Sequence, residues 1–186
     1  MPQGILKPLA LDMLKQLDMA DVQLKGLVKD IPANHNGVCV IMIAYHTGKV
    51  LFEAIDHVLN DELVAQFILI DNGSTESDAK RLRSINEAEP RIKLVQGHGN
   101  IGFGKAANLG AVLSDQPILV FLNPDALIAK DCIEILSQTL RTTKRPCLIG
   151  AHIRNTNGSE QRGGRRGEVS PLSTLLTLSR LTRLFK

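Results

Sequence analysis

The chain has 186 residues, 44% hydrophobic and 22% charged, with a formal net charge of +3. Such a chain is about one globular domain with a real core, which argues against long disorder, a collagen repeat or a disulfide scaffold. Aromatics reach only 3%, with no Trp, so the stacking platforms of single-strand nucleic-acid modules are missing, and +3 is too small to imply DNA binding. Taken in order, residues 1–36 come first, with apolar positions at Leu6, Ala10, Met13, Leu17, Ala20, Leu24, Leu27 and Ile31. Alternating steps of four and three make one helical stripe, which Pro32, Asn34, Asn36 and Gly37 end. Such a stripe packs on its own domain, or dimerises or docks a partner.

After Gly37 the pattern becomes α/β. Val38 to Ala44 (VCVIMIA) is a continuous apolar run, as in a central parallel strand. A helix is expected over Val50 to Asn60 and a strand over Phe67 to Ile70, which ends at Asp71. A polar helix over 75–88, a strand over Arg91 to Val95, a glycine-rich turn and a helix over Gly104 to Leu113 follow. Next come a strand over Pro117 to Leu122, a helix over Lys130 to Leu140 and a strand over Cys147 to Ile153. Asn157-Gly158 reads as a hairpin turn. The alternation predicts a mostly parallel sheet with helices on both faces. Residues 162–167 (RGGRRG) form a basic loop, either a solvated turn or an anion contact. The tail is Leu-rich and basic. The odd, scattered cysteines 39, 132 and 147 read as buried thiols of a reducing compartment. With no secretory signal pattern in Met1 to Ala10, a cytoplasmic location is expected.

Ligands of parallel sheets bind beyond the carboxyl ends of the strands. Those ends carry Tyr45, Asp71, the glycine-rich turn and Asp125. The turn, Gly99 to Asn108, nearly fits two phosphate motifs. Its glycines match the dinucleotide fingerprint, but after the wrong strand. Gly99 to Lys105 matches a phosphate loop, but Ala106 stands where Ser or Thr would hold magnesium. A backbone that can approach a ligand, and a helix N-terminus that favours anions, survive both tests. Asp71 either satisfies backbone donors before the next helix or accepts the ring N–H of a pyrimidine base. Asn123-Pro124-Asp125 is a capped turn, or it offers two oxygens to a hard cation.

Together, the strand ending at Tyr45, IDNGST at 70–75, GNIGFGKAAN at 99–108, FLNPDA at 121–126 and IGAHIRNTNGSEQR at 149–162 resemble the nucleotide-sugar half of a family 2 glycosyltransferase. The Asn-Pro-Asp and Gly-Phe-Gly forms resemble its rhamnosyltransferase-like branch. The resemblance implies a GT-A fold and inverting transfer from a nucleotide-diphospho-sugar, dTDP-rhamnose or a UDP-sugar, to a polysaccharide or lipid-linked acceptor. By the same resemblance, Asp71 accepts from the base and the backbone at Ala44 and Tyr45 lines the base and ribose pocket. Asn100, Gly102 and Asn108 support the nucleotide or sugar, Asn123 approaches the ribose, and Arg165 or Arg166 assists the diphosphate. Asp125 holds Mg²⁺ or Mn²⁺. Ala44 and His46 replace the Asn residues that flank the Tyr in many relatives. The expected domain plan is a helix over 1–36, a donor-binding domain over 37–168 and a tail over 169–186, with the acceptor half and its general base expected downstream. The alternatives are a non-catalytic nucleotide-sugar-binding or partner-docking module and a phosphate-loop NTPase. Working at the inner membrane face is consistent with lipid-linked acceptors.

Overall fold

The computed structural model describes residues 37–144 and 146–161. The expected N-terminal helix, the RGGRRG loop with Arg165, and the tail lie outside the described residues. The chain divides into two compact units, one running to Leu148 and one starting at Ile149.

In the first unit, strands and helices alternate: β1 (Val38–Ala44), α1 (Val50–Leu59), β2 (Val64–Asp71), α2 (Glu76–Ala88), β3 (Ile92–Val95), α3 (Phe103–Leu113), β4 (Ile118–Leu122) and α4 (Cys132–Thr142). The strands form one sheet in the order β3-β2-β1-β4, and every neighbouring pair is parallel. The expected parallel sheet is therefore present. β2 begins earlier than its apolar run, because pairing of Val64 and Gln66 with β1 fixes the backbone whatever the side-chain polarity.

β1 is buried along its whole length, which explains its unbroken apolar sequence. Its side chains alternate between two cores. Val38, Val40, Met42 and Ala44 pack with Leu51, Ala54 and Ile55 of α1, Leu82 of α2 and Ile133 of α4. Cys39, Ile41 and Ile43 pack with Ala106 and Leu109 of α3. Right-handed crossovers explain the division. β1 to β2 to β3 steps one way across the sheet, and the step from β3 to β4 goes back, so its helix lands on the other face. Each fully buried Ile or Leu contributes about 1.5–3 kcal/mol relative to exposure. α3 lies against the sheet at Gly110, where a Cβ would fall 2.5 Å from Ile41 Cγ2 and 3.4 Å from Ile70 Cδ1.

At the amino-terminal edge of the sheet, the Arg91 guanidinium donates to Leu59 O at 2.7 Å and Val64 O at 3.3 Å, tying the end of α1 to the start of β2. Its partner Glu89, 3.0 Å away, is held below the usual carboxylate range by hydrogen bonds from Arg91. All three cysteines are free thiols. Cys39 is buried as expected, while Cys132 and Cys147 are half-buried. Burial pushes the Cys39 and Cys132 thiols up, so neither is an activated nucleophile.

The strand expected over Cys147 to Ile153 is not formed: these residues are irregular, and Leu148 is 94% exposed. An apolar, β-branched run becomes a strand only where a neighbouring edge completes its hydrogen bonds. In the second unit the hairpin turn at Asn157-Gly158 is present. Gly158 has φ +83°, Asn155 N donates to Ser159 O at 2.8 Å, and Arg154 and Glu160 form an antiparallel bridge.

Candidate functional site

Because all four strands run the same way, their carboxyl ends share one edge of the sheet. Strand order reverses between β1 and β4, and this is where an open α/β sheet forms its ligand crevice. Tyr45 and His46 leave β1, Asp71 to Thr75 leave β2, Gln96 to Gly102 leave β3, and Asn123 to Asp125 leave β4.

The β2 side is closely tied. Asp71, 7% exposed, accepts from Gly73 N at 3.1 Å and Ser74 N at 2.8 Å through Oδ1, and from Gln96 Nε2 at 2.8 Å through Oδ2. The acid thus does satisfy backbone donors, as one of its two sequence readings expects, while standing at the crevice. Thr75 caps α2, its Oγ1 accepting from Asp78 N at 3.2 Å. Ala44 is buried, and its carbonyl accepts from Asn72 N at 2.8 Å. The Asn72 side chain is buried, and its Oδ1 lacks a hydrogen-bond partner among the described residues. Tyr45 is 53% exposed, with its ring in edge contact with His46. Gly73 is favoured here because its φ is +140°, and a Cβ would also sit 3.3 Å from the Tyr45 ring, which would have to give way slightly.

The glycine-rich turn approaches α3 without a side-chain cap, and Gly102 has φ +80°. The first N–H groups of the helix therefore face outward. Asn100 turns its Oδ1 inward to accept from Gly102 N at 2.9 Å, so it shapes the turn. Asn108 lies half-buried on the second turn of α3, and Lys105 is exposed. On the β4 side, Ala126 N donates to Asn123 O at 3.1 Å, which closes a turn. The turn leaves both Asn123 and Asp125 exposed. Their donor atoms are all oxygens, the class that magnesium and manganese prefer. No group of three or more ligating side chains occurs among the described residues. A cation here would draw its remaining ligands from phosphate and water, which fits one or two protein oxygens.

Sequence reasoning missed Gln96. Its signal is weak, since it is one polar residue directly after a short strand. A separate cavity of about 740 Å³ lies at the far end of α1, lined by His57, Asp61, Glu62, Lys130, Asp131 and Glu134. Its four carboxylates outnumber the single lysine and disfavour a diphosphate, so the crevice at the strand ends is the candidate site. Among the described residues no helix is long and apolar enough to cross a membrane.

Comparison with known proteins agrees with this architecture. Residues 39–184 match the model of glycosyl transferase family 2. The chain is 24% identical over 114 residues to glycosyltransferase GlyG of Streptococcus pneumoniae, covering 61% of this chain and 38% of GlyG. It is 27% identical over 164 residues to the succinoglycan biosynthesis protein ExoU of Rhizobium meliloti, covering 75% of this chain and 48% of ExoU. The chain thus spans less than half the length of either relative. Among solved structures, it resembles the mannosyltransferase PcManGT of Pyrobaculum calidifontis in complex with GDP-Man and Mn²⁺. That likeness has TM-score 0.52 and 20% identity, and covers 70% of this chain and 39% of the other. A second neighbour is S. aureus TarS in complex with UDP-GlcNAc, with TM-score 0.50, 17% identity, and coverage of 56% and 31%.

Proposed function

The chain belongs to glycosyl transferase family 2, and from that premise we propose that it binds the nucleotide-diphospho-sugar donor of an inverting glycosyl transfer. The observation that carries this reading is the convergence of Asp71 with Asn123 and Asp125 at one edge of a parallel sheet, on either side of β1. Asp71 accepts the ring N–H of the base. The backbone at Ala44 and the exposed ring of Tyr45 line the base and ribose. Asn123 reaches the ribose. The uncapped start of α3, with Gly102 at its N-cap, receives phosphate or sugar oxygens. Asn100 supports it by holding the turn, and Asn108 completes that side. The sequence resemblance alone extends the proposal to Arg165, as a contact for the diphosphate. Asp125 holds Mg²⁺ or Mn²⁺, which when bound neutralises charge on the leaving diphosphate.

An acidic acceptor at the base position suits UDP-, dTDP- and GDP-linked sugars, whose bases carry a ring N–H, and the resemblance of Asn-Pro-Asp to the rhamnosyltransferase-like branch favours dTDP-rhamnose or a UDP-sugar among them. The acceptor is a saccharide or lipid-linked saccharide at a membrane face, a reading supported by the polysaccharide role in the name of ExoU. The test is thermal melting with UDP, dTDP and GDP, each with and without Mn²⁺. A metal-dependent rise is expected for at least one nucleotide, and no rise with any of them sinks the proposal. Nucleotide release in the presence of an acceptor lipid then separates a transferase from a module that binds without turnover.

A further inference from the structure

We propose that Gln96 is a positioning residue that aims the Asp71 carboxylate at the nucleobase and thereby sets the preference for bases that carry a ring N–H. This inference rests on the donor-site reading above. An ionised carboxylate offers about four lone-pair sites. On Asp71 two are filled at Oδ1, by Gly73 N at 3.1 Å and Ser74 N at 2.8 Å. A third is filled at Oδ2 by Gln96 Nε2 at 2.8 Å. The fourth site is therefore on Oδ2, on the side opposite the Gln96 bond.

The orientation of the Gln96 amide follows from its neighbours. A guanidinium has only donors, so Arg83 Nη1, 3.5 Å away, selects Oε1. Nε2 is then left for two acceptors, Asp71 Oδ2 and Ala79 O at 3.4 Å. Arg83 is itself held by Glu76 Oε1 at 3.1 Å. The last torsion of an Asp side chain is broad, so the bonds at Oδ1 alone leave the direction of Oδ2 loosely set. Gln96 fixes it. The remaining lone pair then meets the N3–H of uracil or thymine, or the N1–H of guanine. The unprotonated ring nitrogen of cytosine or adenine would face it acceptor to acceptor, leaving both unpaired.

The experiment is calorimetric titration, in Mn²⁺, of UDP, dTDP, GDP, CDP, ADP and pyrophosphate into the wild-type chain and the variants Gln96→Met, Gln96→Glu and Asp71→Asn. Wild type is expected to bind its best ring N–H nucleotide at least about tenfold more tightly than CDP or ADP. Gln96→Met should weaken that nucleotide about tenfold, collapse the preference over CDP, and leave pyrophosphate affinity unchanged. Gln96→Glu keeps the side-chain volume but turns an acceptor toward Asp71, and should lose the preference in the same way. It serves if the Met variant fails to fold, as judged by unliganded melting. A preference retained in both variants overturns the proposal, and so does an equal loss of pyrophosphate, which would mark a merely structural role. Wild-type binding that Asp71→Asn removes while Gln96 changes leave it intact refutes the Gln96 role alone. A wild-type chain that binds no nucleotide refutes the donor-site reading together with it.

Discussion

The two walls of the crevice are built in opposite ways. On the β2 side, a nearly buried carboxylate is held by three hydrogen bonds, a glycine fits against the Tyr45 ring, and Thr75 caps the following helix. On the β4 side, Asn123 and Asp125 are exposed, and a single backbone bond from Ala126 N closes their turn. Side chains fixed before the ligand arrives suit a fixed target such as a flat base. Exposed oxygens suit a hydrated cation whose geometry is completed by phosphate and water. On the proposed donor site, the difference separates groups that serve both folding and binding from groups that serve binding only.

Substitutions can break this contrast, and the largest effect is expected at Asp71. Asp71→Ala should remove nucleotide binding and also cost about 2 kcal/mol of stability, because two backbone donors and Gln96 lose a charged acceptor. Denaturant unfolding and calorimetry read the two losses separately. Asp125→Ala should abolish the metal-dependent rise in melting temperature while changing unliganded stability by less than about 0.5 kcal/mol. A large unliganded change would erase the contrast between the walls. Thr75→Ala should cost about 1 kcal/mol through the lost cap, with a modest loss of nucleotide affinity. The smallest effect concerns Glu89, whose pKa is depressed by Arg91 from an ordinary value near 4.5. A depressed carboxylate adds stability above its unfolded pKa and loses it as pH falls through the folded one. Melting of wild type should therefore decline more steeply with acid below that ordinary value than melting of Glu89→Gln, with nucleotide binding at neutral pH unaffected.

Much of this was legible in the sequence, for identifiable reasons. Continuous apolar runs mark β1 and β4 because a parallel strand is buried or flanked on both faces, and the residues closing those runs fall at one edge by topology alone. Asp71 and Asp125 were visible because an acid after an apolar strand is unusual. Gln96 was not, since its role comes from a neighbour twenty-five positions away. Cys147 to Ile153 misled for the opposite reason: its composition suits a strand, but pairing is not a property of composition. Nor did spacing reveal that Asn100 turns back onto its own loop.

The central position of β1 has a kinetic consequence. Val38 pairs with Val64 on one side and with Ile118 on the other, so one ladder is local and the other closes a long loop. Loop closure makes distant pairings slow. The β1–β2–β3 half can consolidate while β4 is still unpaired, and the crevice is completed only when β4 arrives. Pulsed hydrogen exchange during refolding should protect the amides of Phe67 to Ile70 before those of Leu119 to Leu122. Simultaneous protection would mean that both halves form in a single step.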